Sequence, residues 1–169
     1  VADALGLPVL FHTGFLPPTA LDRAAGVNMA HMRPVHLDTV ARCFPELNII
    51  GVGLGRPWLQ EGVQVMRYNP NVHFDLAGGL FRVMGVDELS RLLKPAGSVL
   101  WDASMGGDLV GQLVFGSGAR SEEIASTERD YQRLFRAMGL SADDIERVMG
   151  GNAARILGIS SQTTSLVEG

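Results

Sequence analysis

The residues of this chain with the clearest chemical promise are four histidines, two arginines and a few carboxylates, and their neighbours say what each is placed to do. His12 follows the apolar run Leu7-Pro-Val-Leu-Phe11 and precedes Thr13-Gly14. A short apolar run that ends in turn residues reads as a strand buried on both faces. A histidine at the C-terminal end of such a strand stands where parallel α/β architectures place their chemistry. Imidazole suits a metal ligand, although a catalytic metal site needs several ligands. His31, Met32 and Arg33 close a long segment rich in Pro and Gly near the same end. The planar guanidinium fork of Arg33 suits a ligand carboxylate.

The other candidates carry plainer readings. His36 falls on an expected helix and reads as a surface or capping group. His73 and Asp75 alternate along a strand and share a face, which a sheet hydrogen bond explains. Asp102 and Asp108 lie in a segment of ambiguous structure, with no spacing that supports a site. Arg120 stands close to a strand exit and borders its mouth. Gly51-Val-Gly-Leu-Gly55 lacks the full dinucleotide pattern and has Pro57 and Trp58 where a smooth helix start is needed, so it is not a phosphate loop.

The elements that must position these groups follow from periodicity and punctuation. A helix end at 1–6 closes on Gly6. Strands are expected at 8–12, 48–53, 72–77 and 112–117. Residues 13–33 read as one long loop. Helices are expected from Pro34 to Pro45, over 58–68, 86–93, 121–138 and 142–149, and over 152–157. The segment 96–111 stays ambiguous, and the Ser- and Thr-rich tail 160–169 reads as disordered. Strands alternating with helices point to parallel βαβ units. Four such units make half of a (β/α)8 barrel.

Composition narrows the function classes. The 169 residues suffice for one domain with a core, 46% are hydrophobic and 19% charged. The net charge is −4, with an isoelectric point near 5.5 and no basic patch, so nucleic acid is not an expected partner. Cys43 is the only cysteine, which rules out an intramolecular disulfide, and it reads as a buried thiol beside Phe44. No apolar run is long enough to span a membrane, and a cytoplasmic location is the default expectation. The chain opens with Val1 inside a helix end, which suggests a fragment or a processed chain.

Three segments resemble the C-terminal half of the amidohydrolase-related family, within the metal-dependent amidohydrolase superfamily. They are Leu7 to Gly14; Arg33 to Ile50 with Leu54-Gly-Arg-Pro-Trp58; and Val114-Phe-Gly-Ser117 with Gly151-Asn-Ala-Ala-Arg-Ile-Leu-Gly158. Asn71 to Gly78 also fits. The resemblance implies an α/β fold, the C-terminal half of a (β/α)8 barrel over 1–159. It implies hydrolysis of an amide or lactone, or decarboxylation, of a small carboxylated substrate. It also implies one divalent metal ion, often zinc, with His12 as a ligand. His31, Arg33 and Arg120 are the expected substrate-binding residues.

Two departures stand out. The family carries a histidine where this chain has Gly53, and an aspartate where it has Gly118. Glycine can neither ligate a metal through a side chain nor shuttle a proton. The ligand pair of the first barrel strand would lie before Val1. A second expectation is therefore a catalytically degenerate relative that acts as a binding or assembly scaffold. Either way a half-barrel exposes open edges, and it is expected to need an N-terminal half or a second copy of itself.

Overall fold

The fold comes from a computed structural model. The structure describes residues 1–15, 18–19, 22–77, 84–93 and 109–159. Four parallel strands stand in the order β1 (Val9–His12), β2 (Ile49–Val52), β3 (Val72–Asp75) and β4 (Leu113–Val114). The helices are α1 (Asp22–Ala25), α2 (Val35–Cys43), α3 (Leu59–Tyr68), α4 (Val86–Leu93), α5 (Leu109–Gln112), α6 (Ile124–Ala137), α7 (Ala142–Glu146) and α8 (Asn152–Ile156). This is the expected βα alternation in a partial-barrel arrangement. Most of the ambiguous segment 96–111 and the tail 160–169 lie outside the described residues.

Register separates the two faces of the sheet. Paired residues of parallel strands share a face, because side chains alternate with period two. Phe11, Gly51, Phe74 and Leu113 form one row, and Val9, Ile49 and Val72 another on the same face. Ile49, Val72 and Phe74 are fully buried there. They share one core with Leu37 and Ala41 of α2, Val63 and Met66 of α3, Leu89 of α4, and Tyr131 and Phe135 of α6. Those positions recur at helical spacing, so each helix has one apolar stripe to bury. Gly51 is obligatory in this face: a Cβ there would overlap the Phe74 ring.

Asparagine and glutamine side chains fasten the ends of the elements. Gln112 Nε2 lies 2.8, 2.9 and 2.7 Å from the carbonyl oxygens of Met66, Asn69 and Val72. Asn71 Nδ2 donates to the carbonyls of Phe44 and Leu47, each at 3.0 Å. Asn152 Nδ2 donates to Val110 at 2.8 Å and Leu113 at 2.7 Å, and Arg155 donates to Gly111 at 2.7 Å. The Gly-Asn-Ala-Ala-Arg run is thus a clip. It satisfies carbonyls that α5 and β4 leave open at the edge of the sheet.

Four sequence expectations are corrected. β1 is not buried on both faces: Leu10 is 64% exposed, Phe11 37%, and His12 is exposed. Among the described residues it is an edge strand with β2 as its one neighbour, and an apolar run does not reveal which strand is the edge. The loop 13–33 holds α1 and a 3-10 turn at Met29–Met32. The strand 112–117 contracts to Leu113–Val114, because Gln112 ends a helical turn where its amide reaches three carbonyls. Cys43 is exposed, since the buried stripe of α2 runs through Leu37 and Ala41.

Two outcomes are expected. His73, buried at 1% exposure, has Nε2 at 3.1 Å from Asn48 Oδ1, and among the described residues its Nδ1 has no partner. Burial, aided by the charge of Arg155, lowers its pKa from 6.5 to about 4. The unfolded chain binds this proton first, so the contribution is complete above pH 6.5 and is lost as pH falls toward 4. Equilibrium denaturation should show about 3 kcal/mol of acid-side loss that His73→Gln largely removes; an unchanged pH slope in the variant would contradict this. Asn152→Ala strands two carbonyls and should cost about 2–3 kcal/mol in urea unfolding, and a loss under about 0.5 kcal/mol would show the clip to be dispensable.

Candidate functional site

The opposite face of the sheet carries His12, His73 and Asp75. Leu10, Ile50 and His73 form one row, and His12 pairs with Val52, as Asp75 does with Val114. Continuing the β2–β3 register sets Val52 beside Asp75, so His12, Val52, Asp75 and Val114 make one row at the C-terminal edge. Two strand spacings separate the Cα atoms of His12 and Asp75, roughly 9–10 Å. Exposure falls along the row, from exposed His12 through half-buried Val52 to Asp75 at 8% and Val114 at 5%.

Sequence alternation makes Asp75 a partner of His73 within the strand, and its structural role is different. Its Oδ1 accepts from the backbone N–H of Gly53 at 2.6 Å and of Ala77 at 3.0 Å. Its Oδ2 lies against Gly116, where a Cβ would come within 2.6 Å of it. Among the described residues no donor reaches Oδ2. Burial raises the Asp75 pKa, while the two N–H bonds and the nearby His12 oppose the rise. The sequence signal for it is a carboxylate that ends an apolar strand just before small residues.

The turns that leave β1 and β2 are locked together. Thr13 Oγ1 donates to the Val52 carbonyl at 2.8 Å. Gly14 N–H donates to Met32 at 2.8 Å, and Phe15 N–H to Arg56 at 2.7 Å. Gly14 has φ +87°, and a Cβ would stand 2.5 Å from the Arg56 carbonyl. The Thr-Gly after His12 therefore serves to seat one exit turn on the next. Gly53, Leu54 and Gly55 follow with φ of +81°, +51° and +73°. Leu54 is a buried non-glycine residue in left-handed backbone, a conformation held by its surroundings.

The other candidates are placed as follows. Arg33 pairs with Glu61, which also accepts from Val35 N–H at 2.9 Å, and its guanidinium lies 5.9 Å from the Trp58 ring centroid. Its fork is occupied within the protein. His31 is exposed in the 3-10 turn. Arg120 is exposed just before the turn Ser121–Glu123. Neither makes a side-chain hydrogen bond or ion pair among the described residues. His36 Nε2 contacts the Ala30 carbonyl at 2.8 Å, the surface role expected of it. A groove of about 1080 Å³ between α3 and α4 includes Trp58, Glu61, Gln64, Met84 and Glu88 in its lining, but no residue of the His12–Val114 row.

The donor set tests the metal expectation. Among the described residues no three His, Cys, Asp or Glu side chains are grouped closely enough to hold an ion. His12 and Asp75 together fall short of the three protein ligands of a catalytic zinc site. The described residues do not by themselves fit the metal that the family resemblance implies.

Comparison with known proteins places the chain. Its fold is similar to a TIM-barrel protein from Bordetella bronchiseptica, with a TM-score of 0.64 and 22% identity over 94% of this chain and 48% of that one. It is also similar to 5-carboxyvanillate decarboxylase from Sphingomonas paucimobilis, with a TM-score of 0.52 and 16% identity over 94% of this chain and 51% of that one. The chain thus spans about half the length of these solved structures, and at this identity the likeness concerns the fold. No curated protein matches. The amidohydrolase family model matches residues 1–159, and the chain belongs to that family.

Proposed function

We propose that this chain supplies the C-terminal half of the working mouth of an amidohydrolase-family enzyme, which hydrolyses an amide or lactone, or decarboxylates a small carboxylated substrate. The observation that carries the reading is the His12–Asp75 row. It sets an imidazole and a buried carboxyl on one open face at the C-terminal edge of a parallel sheet, where barrel enzymes keep their chemistry. His12 is the candidate metal ligand, and further ligands come from outside the described residues. Exposed His31 and Arg120 are the candidate substrate contacts, with Arg33 available once released from Glu61. The exposed apolar residues of edge strand β1 support closure by a second half-barrel, from an N-terminal half or another copy.

One observation favours a second reading, a degenerate relative that keeps the barrel for binding. Gly53 and Gly118 bring no side chain to the strand ends, and both have positive φ, +81° and +53°. At Gly53 the nearest atoms to a built Cβ are the Ala77 and Thr13 carbonyls, at 3.6 and 3.7 Å, so a side chain has room. The cost of a histidine there is left-handed backbone, about 1–2 kcal/mol.

Elemental mass spectrometry of the purified chain, beside the double variant Gly53→His with Gly118→Asp, separates the readings. The enzyme reading expects about one tightly held divalent ion per chain once the second half is present, and increased retention in the double variant. Absence of metal from the assembled protein and the variant alike would favour the scaffold.

A further inference from the structure

Neither position 53 nor position 118 can move a proton, yet both reactions proposed above need a group that does. We propose that the Asp75 carboxyl is the proton-transferring group of this site, an inference that rests on the enzymatic reading. Three features carry it. Asp75 shares the C-terminal row of the open face with His12. Its Oδ1 is fixed by two backbone N–H groups, so the carboxyl plane is held without consuming Oδ2. Oδ2 is left without a donor among the described residues, in the space that Gly116 keeps clear of a Cβ. Burial at 8% exposure favours the protonated acid, which is the form that donates.

The steps balance. In hydrolysis water adds through its oxygen to the carbonyl carbon and gives a proton to the Asp75 carboxylate, while the carbonyl π pair moves onto its oxygen. The bond from that carbon to the leaving nitrogen or oxygen then breaks as the carbonyl re-forms, its electron pair stays on the leaving atom, and that atom takes the proton from Asp75. In decarboxylation the carbon–carboxylate bond breaks, carbon dioxide leaves, and the carbon that keeps the electron pair takes the Asp75 proton, which water replaces. In decarboxylation Asp75 acts as acid, so activity falls as pH rises through its ionisation; in hydrolysis it acts first as base, so activity falls as pH drops through it.

The test uses two probes, dihydrocoumarin as a lactone and 2,6-dihydroxybenzoate as a carboxylate, with the assembled protein. Asp75→Asn keeps an oxygen for the Gly53 and Ala77 N–H groups and should fold. It is expected to lower kcat/KM by about 100-fold or more and to erase the Asp75-dependent decline, at high pH with the benzoate and at low pH with the lactone. Asp75→Glu should retain part of the activity with the decline displaced. Gly116→Ala, which crowds Oδ2 from the other side, should reduce kcat as well. Asp75→Asn within threefold of wild type, or with an unchanged pH profile, would overturn the proposal while leaving the enzymatic reading intact. Wild-type protein inert to both probes counts against that reading instead. Asp75 is then judged by carbon-13 carboxyl NMR: a resonance shifted by bound benzoate supports the proposal, and an unmoved resonance overturns it.

Discussion

The parallel register of the four strands is the constraint on which the rest depends. Once Val9 pairs with Ile49 and Ile49 with Val72, every later residue has its face assigned. The apolar rows through Phe74 turn toward the helices, and the rows through His73 and Asp75 turn away from them. A slip of one residue would bury His12 and Asp75 under α2 and α3 and expose Phe74. The close fit of Gly51 to Phe74, and of Gly116 to Asp75, makes such a slip sterically costly on both faces.

The ends of the sheet divide the work. At the N-terminal end, Gln112, Asn71 and Asn152 donate to carbonyls that neighbouring elements leave open, and His73 is buried neutral beside Asn48. At the C-terminal end the chain leaves through glycine-rich turns in left-handed backbone, which bring main chain close to main chain and leave room at the mouth. Asp75 joins these turns to the sheet by holding Gly53 and Ala77 at once. The same bonds that organise the turns therefore also orient the carboxyl.

Much of the fold was legible in the sequence because its signals are local. Pro34 and Pro45 bracket α2, Asn69-Pro70 ends α3, and the apolar stripe through Val63 and Met66 states which face is buried. What was not legible depends on partners far away in sequence. Edge status exposes Leu10 and Phe11, although their composition is that of a central strand. Gln112 reads as the start of a strand until its three carbonyl partners, 40 to 46 residues away, are seen. The occupancy of Arg33 depends on Glu61, 28 residues on. His12 was found as a strand-end histidine. Alternation along β3 assigns Asp75 to the strand, and nothing local in the sequence shows that β2's exit turn donates to it.

The most direct measurement is a crystal structure of the assembled protein with 2,6-dihydroxybenzoate. Density for the probe on the open face, with its carboxylate between His12 and Asp75 at the C-terminal edge, is the result expected. Density confined to the groove between α3 and α4, with the His12–Asp75 row untouched, would contradict the central claim.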